Sequence, residues 1–446
     1  MSQKGRPTTR TNGSTHFPTR RSVLKTAGTG IATIGLAGCL GGGDGSTDNP
    51  NGTKTQSGPG DSTINVVAPL PLSGPYAGPG KQVQNGIKIA MDHAKKDGLA
   101  KEINIQYTDT EVDPSVARTK TQEVLNNEKI DIMIGGFSSS VVLALGDLAG
   151  RVKIPLFTMG GGTQVLRQEK CHRYLFTNGS SSWQQASVAY GNALREGIAN
   201  GVYTVSADYA GYQQVVDYSK STVFPENDGT YVGNAYVPIG TGDYSSQLAE
   251  IENSDADAIG INLFGSDHVT LAKQIREFGL LEDHVLIAPN HGLSLAPEIP
   301  PEVLEKEYAA LNWYWQMDTD AGKAYNEAFR KRNNTAPTGW GALMYAGFYT
   351  ALDAMNDVGS KNPEDYINAC EGKDYPDRAR LWNKGERIRA CDHQSMIAMP
   401  FVKGTPPADL DESKQNYFNI VNVPDKPEDT MQTCKNAADN ECTLTQ

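Results

Sequence analysis

At 446 residues the chain is longer than one ordinary core organises, so two domains of roughly 150–200 residues are expected. Its 40 Lys and Arg against 52 Asp and Glu give a formal charge of −12, and 38% of residues are hydrophobic, a globular composition whose charge argues against a nucleic-acid partner. Six basic residues and no acidic one fall in positions 1–38, so the rest is more acidic still, as suits a salt-adapted cell whose surface carboxylates keep proteins hydrated.

Arg20-Arg21-Ser22-Val23-Leu24 precedes Thr26–Leu40, a run of small and apolar residues that closes on Leu36-Ala37-Gly38-Cys39. The run is too short and too rich in Gly and Thr for a spanning helix, and the paired arginines are those of a twin-arginine export signal over residues 1–38. Small residues directly before Cys39 make it the expected lipidated N-terminus of the mature protein. The following stretch, 39–61, is Gly-, Ser- and Asp-rich and has the composition of a flexible tether. The expected location is the outer face of the cell membrane.

The body alternates strands and helices. Strand Ile64–Leu70 is β-branched and apolar, a Pro/Gly turn follows over Pro71–Gly80, and apolar residues at helical spacing mark a helix over Lys81–Lys95. Strand Ile103–Tyr107, helix Pro114–Asn126 capped by Asp113, strand Ile130–Ile134, helix Val141–Gly150 and strand Ile154–Phe157 continue the pattern. A second series runs through helix Gln184–Glu196, strand Val202–Ser206, helix Gln213–Thr222, strand Tyr231–Tyr236 and helix Ser245–Ile251, then strand Ala258–Asn262, helix Val269–Phe278 and strand His284–Ala288. Helices Ala321–Arg332 and Gly341–Val358 follow, and the segment 410–446 reads as an irregular tail. The fold class is α/β, with two doubly wound, Rossmann-like lobes.

Motifs for chemistry are weak. Gly78-Pro79-Gly80 sits where a dinucleotide loop would, but Val83 holds the third glycine position and Pro79 removes a backbone N–H that a pyrophosphate needs. Gly136-Phe137-Ser138-Ser139-Ser140 fails the nucleophile-elbow pattern at Ser140, and no His–acid pair supports it, so no enzyme is expected. The serines instead offer hydroxyls and N–H groups at a helix start, suited to a carboxylate, with simple capping as the plainer role. Tyr209 and Tyr212, and Asn290 with His291, fall at the C-terminal ends of strands in the second series, where open α/β sheets bind ligands. Trp313-Tyr314-Trp315 could contact a ligand or pack beneath a hinge. The seven histidines show no metal spacing, so neither a metal nor a cofactor is assigned. With Cys39 lipidated, Cys370–Cys391 and Cys434–Cys442 are the preferred disulfides by proximity, leaving Cys171 a buried thiol.

Pro71-Leu72-Ser73-Gly74-Pro75-Tyr76-Ala77, Asp109 with Asp113-Pro114, Ile134-Gly135-Gly136 and the serines, Asp208-Tyr209, Gly242-Asp243-Tyr244-Ser245-Ser246-Gln247-Leu248, Met344-Tyr345-Ala346 and Cys391-Asp392-His393-Gln394 occur in this order. The set resembles the branched-chain amino acid (Leu/Ile/Val) binding family of ABC-importer receptors, with the type I periplasmic-binding-protein fold, over about Thr63 to Lys403. That resemblance implies lobes at 62–177 plus 315–389 and 178–314 plus 390–409, joined by three crossings near Thr177, Tyr314 and Arg389. It implies a ligand held by Tyr76, Ser138, Ser139, Gly160, Gly161, Thr163 and Tyr209, with Asn290 and His291 facing them, and an ABC permease as partner. Where relatives often place an acidic residue for an ammonium group, this chain reads Pro289-Asn290-His291-Gly292. A branched-chain or related amino acid is the leading ligand, with urea, short amides and carboxylates as alternatives, a sensory ectodomain as the rival role, and a secreted hydrolase behind both.

Overall fold

The computed structural model describes residues 62–433 together with Cys442 and Leu444. The signal peptide, the tether and Cys39 fall outside the described residues, as does Cys434. Two sheets organise the body, one all parallel and one parallel but for two antiparallel strands at its edge. The first contains β1 (Thr63–Leu70), β2 (Glu102–Asp109), β3 (Ile132–Ile134), β4 (Leu156–Thr158) and β5 (Leu175–Thr177) in the order β2-β1-β3-β4-β5, all parallel. Its crossovers are α1 (Ala77–Lys96), α2 (Pro114–Asn127) and α3 (Ser139–Val152). β1 lies between β2 and β3 with Val66 through Leu70 buried, which explains a run that is apolar on both faces. Asp113 caps α2 as its position foretells, accepting from Ser115 N at 2.7 Å and Val116 N at 2.9 Å.

The chain then passes to the second sheet, formed by β6 (Gly201–Ala207), β7 (Thr230–Val237), β8 (Ala258–Asn262), β9 (Val285–Ala288) and β10 (Glu307–Ala310). Helices α4 (Ser182–Arg195), α5 (Ala210–Tyr218), α6 (Phe224–Glu226), α7 (Ser245–Glu252), α8 (Ser266–Glu277) and α9 (Pro301–Leu304) intervene. After β10 it returns toward the first sheet through α10 (Asp320–Asn333), α11 (Gly339–Val358) and α12 (Pro363–Cys370). α11 lies directly on α1, and the approach is so close that a Cβ on Gly86 would stand 2.3 Å from the Gly341 carbonyl oxygen. A short antiparallel pair, β11 (Arg387–Ile388) with β12 (Ser395–Met396), leads to β13 (Phe401–Gly404), which rejoins the second sheet antiparallel to β10.

Two expectations need correction here. The segment after 409 is not irregular: β14 (Phe418–Asn422) pairs antiparallel with β13 and completes the order β14-β13-β10-β9-β8-β6-β7. Its driving residue is Phe418, fully buried, with its backbone bonded to the Tyr314 hydroxyl. The disulfide pairs also differ. Cys171 bonds to Cys442, Cys391 is disulfide-bonded elsewhere, and Cys370 is the free, buried thiol, because the fold brings the C-terminal segment back over the β4–β5 connection. Proximity in sequence misled; proximity in space decides.

A surface network ties α1 to α11. Arg378 donates to both oxygens of Asp97, from Nη2 at 2.9 Å, and Tyr349 donates to Oδ2 at 2.7 Å. Burial pushes the Asp97 carboxyl upward, but the donors from Arg378 and Tyr349 outweigh it and hold its pKa below the usual range. A depressed folded pKa gives stability that is present above the unfolded value and lost as pH falls through the folded one. Asp97→Asn is therefore expected to cost about 0.5–1 kcal/mol at pH 7, since water screens so exposed a pair. Thermal melts of both proteins should converge as pH drops below the carboxylate range; a gap that persists in acid would contradict this.

Candidate functional site

The site begins where β3 ends. Gly135 and Gly136 take φ of 137° and 73°, backbone that a side chain resists, and turn the chain through Phe137 into α3. The loop after β4 lies flat against this turn: a Cβ on Gly160 would sit 1.9 Å from the Phe137 carbonyl oxygen. Ser138 Oγ caps α3, accepting from Val141 N at 3.4 Å. The plainer capping role is thus real, yet the amides of Ser139 and Ser140 in the first turn have no intrahelical acceptor. Ser139 Oγ accepts from Thr163 N at 3.3 Å. Thr163 Oγ1 then donates across the gap to Gln214 Oε1 of α5 at 3.1 Å, and Gln164 N donates to the same oxygen at 2.7 Å.

The second lobe supplies the opposite wall from the C-terminal ends of its strands. Tyr209 and Tyr212 follow β6 with ring centroids 5.1 Å apart, and the Tyr212 hydroxyl donates to Leu263 O at 3.0 Å. Phe264 follows β8 and Asn290 follows β9. Burial, reinforced by Asp267 at Tyr76 and by Tyr76 at Tyr209, raises both hydroxyl pKa values, so each remains a protonated donor at neutral pH.

Between these walls is a cavity of about 380 Å³. Its character is set by an aromatic cage drawn from both lobes: Phe137 lies 4.9 Å from Trp340, 5.4 Å from Tyr76 and 5.9 Å from Phe264, centroid to centroid. No charged side chain lines it among the described residues. Asp208 and Asp267, close in sequence to Tyr209 and Phe264, are engaged elsewhere: Asp208 accepts from Gln213 at 2.8 Å and Asp267 from Gly240 N at 2.8 Å. Asn290 Oδ1 is buried and has no hydrogen-bond partner among the described residues, leaving one neutral acceptor at the second-lobe wall.

Tyr76, Ser138, Ser139, Gly160, Gly161, Thr163, Tyr209 and Asn290 all line this cavity. His291 does not. Its amide donates to Ala310 O at 3.2 Å and its ring turns inward, 4.8 Å from His268 and 4.9 Å from Phe418. Burial, only partly opposed by Glu307, lowers the pKa of that ring to about 4. The Trp313-Tyr314-Trp315 run serves packing: each polar atom donates to a backbone carbonyl, of Leu381, Phe418 and Gln415 respectively. Phe137, Phe264, Ile239 and Trp340 were missed. Phe137 had a signal, as a bulky aromatic directly before the predicted site serines.

The family model for periplasmic binding proteins matches residues 63–409. The chain belongs to the periplasmic binding protein family. A Leu/Ile/Val-binding protein homolog of Brucella abortus is 22% identical over 317 residues, covering 67% of this chain and 78% of the relative. Among solved structures, an amino acid ABC transporter substrate-binding protein from Pseudomonas fluorescens superposes with a TM-score of 0.75 at 20% identity, over 86% of this chain and 99% of that one. A solute-binding protein of an ABC transporter from Rhodopseudomonas palustris, in complex with 3,4-dihydroxybenzoic acid, does so with a TM-score of 0.69 at 20% identity, over 81% and 96%. The two-lobed type I fold of this periplasmic binding protein is thereby shown. No helix among the described residues is long and apolar enough to cross a membrane.

Proposed function

We propose that this protein is an exported solute receptor, held at the outer membrane face by a lipidated Cys39 and the tether behind it, that delivers a small organic carboxylate to an ABC permease. One observation carries the choice of ligand: a cavity with aromatic walls, helix-start amides and serine hydroxyls, but no charged side chain. The amides at Ser139 and Ser140 and the positive end of α3 suit a carboxylate. The cage of Tyr76, Phe137, Phe264 and Trp340 suits a flat or branched apolar body. The Rhodopseudomonas palustris protein, of the same fold, carries an aromatic acid in its complex. The ligand contacts both lobes, so its extra affinity for the closed form is what holds them together.

The second reading is an α-amino acid. The name of the Brucella abortus relative favours it, and Asn290 Oδ1 offers one neutral acceptor to an ammonium group. Calorimetry with matched pairs, leucine against 4-methylpentanoate and phenylalanine against 3-phenylpropanoate, separates the two. An ammonium group buried without a charged partner forfeits about 1.5–3 kcal/mol, so the deaminated acids are expected to bind roughly 10- to 150-fold more tightly. Tighter binding of the amino acids would establish the second reading instead.

A further inference from the structure

Directly behind the Asn290 loop lie three groups the ligand cavity does not use: His268 on α8, His291 after β9 and Glu307 on β10, all with fully buried side chains. Their donor atoms lie within 4.8 Å of one another. Glu307 Oε1 is 3.2 Å from His268 Nε2 and 3.6 Å from His291 Nε2. His268 Nε2 makes one long hydrogen bond, 3.4 Å, to Oε2 of the same carboxylate, whereas Oε1 accepts none. Both ring nitrogens of His291, Nδ1 of His268 and Oε1 of Glu307 have no hydrogen-bond partner among the described residues. No lysine or arginine pairs with Glu307 among them either. A buried carboxylate flanked by two imidazoles, joined by a single long hydrogen bond and with four polar atoms of the cluster unpartnered, suits a positive charge between them.

We propose that His268, His291 and Glu307 bind one divalent transition-metal ion, with zinc the ion their chemistry fits best. Two imidazole nitrogens and one carboxylate oxygen are a recognised zinc set, and bonds of about 2.0–2.2 Å at tetrahedral angles place neighbouring donors about 3.3–3.6 Å apart. The two separations from Glu307 Oε1, 3.2 and 3.6 Å, sit at that spacing, and all three donors lie within 4.8 Å of one another. Carbonyl-only or calcium-type coordination does not fit, because two of the three donors are nitrogen. The ion cross-links α8, the β9 loop and β10, and so fixes the backbone from which Asn290 reaches the ligand cavity. The donors are fully buried and a small ligand such as water would complete the fourth position, which suits a bracing site rather than a reaction centre.

The test is metal content. The full chain, folded with excess zinc chloride and freed of loose ions by gel filtration, is expected to retain about one zinc per chain by plasma mass spectrometry. Glu307→Gln, close in shape, and the double replacement His268→Ala with His291→Ala are expected to lose it while His93, His172, His284 and His393 remain. Cobalt(II) loaded in place of zinc should give the visible absorption of a low-coordinate nitrogen–oxygen site, a readout on the wild-type chain that stands even if the variants misfold. Wild-type protein that retains no metal and shows no such cobalt spectrum, or variants that keep the full complement, would overturn the site. None of these measurements uses a solute, so failure here is distinct from failure of the carboxylate reading.

Discussion

Trp340→Ala is expected to weaken binding of whichever solute the matched-pair panel returns by about 30- to 150-fold, or 2–3 kcal/mol, while the protein stays folded. Trp340 opens α11 and meets Phe137 and Phe264 across the cavity, so it joins the cage of the first lobe to that of the second. Its ring is a rigid anchor that loses little entropy on binding, and truncation both removes contact area and lets water reach the carboxylate end. Phe at the same position should recover most of the loss, since a flat ring is what the cage needs. Calorimetry on both variants, with melting curves as the check on folding, reads the outcome. An alanine variant that binds within about twofold of wild type would remove Trp340 from the site and put the cage itself in question.

The sequence carried the lobes further than it carried their edges. Long periodic segments such as α10 and α11, and buried parallel strands such as β8, show their spacing plainly, and each forms within a residue or two of where it is expected. β5 is only Leu-Phe-Thr, too short for any period, and β13 and β14 are edge strands whose pairing depends on where the chain returns rather than on local pattern. The floor of the site was legible because helix-start serines and paired glycines advertise their backbone demands. The aromatic cage was not, since Phe264 and Trp340 lie on loops and helix starts that only the closing of two lobes brings together. His291 was misplaced for a related reason: one residue of turn separates a side chain facing the cavity, Asn290, from one facing the core. Separation in sequence hid its neighbours His268 and Glu307, which only the fold brings beside the ring.

Replacing Cys171 and Cys442 together with serine is expected to cost about 3–5 kcal/mol of stability, because the bond closes a loop spanning 271 residues and the entropy removed from the unfolded chain grows with loop length. More than chain entropy is at stake. Near the C-terminus, Gln432 joins Gln164 through its side chain and Arg389 through its carbonyl, and Arg389 in turn grips Asp392 through Nε and Nη2. The C-terminal segment therefore acts as a strap from the β4–β5 connection to the third crossing between sheets, and the Cys171–Cys442 bond fastens its end. Denaturant unfolding of the double variant should show a lower midpoint and a steeper slope, since the native surface is the same while the unfolded chain, freed of the cross-link, expands and exposes more. Because Gln164 also shares the Gln214 clamp with Thr163, loosening the strap should reach the cavity mouth, and solute affinity is expected to fall with stability. A variant as stable as wild type, or peptide mapping that finds Cys442 bridged to a partner other than Cys171, would show that the strap is fastened differently.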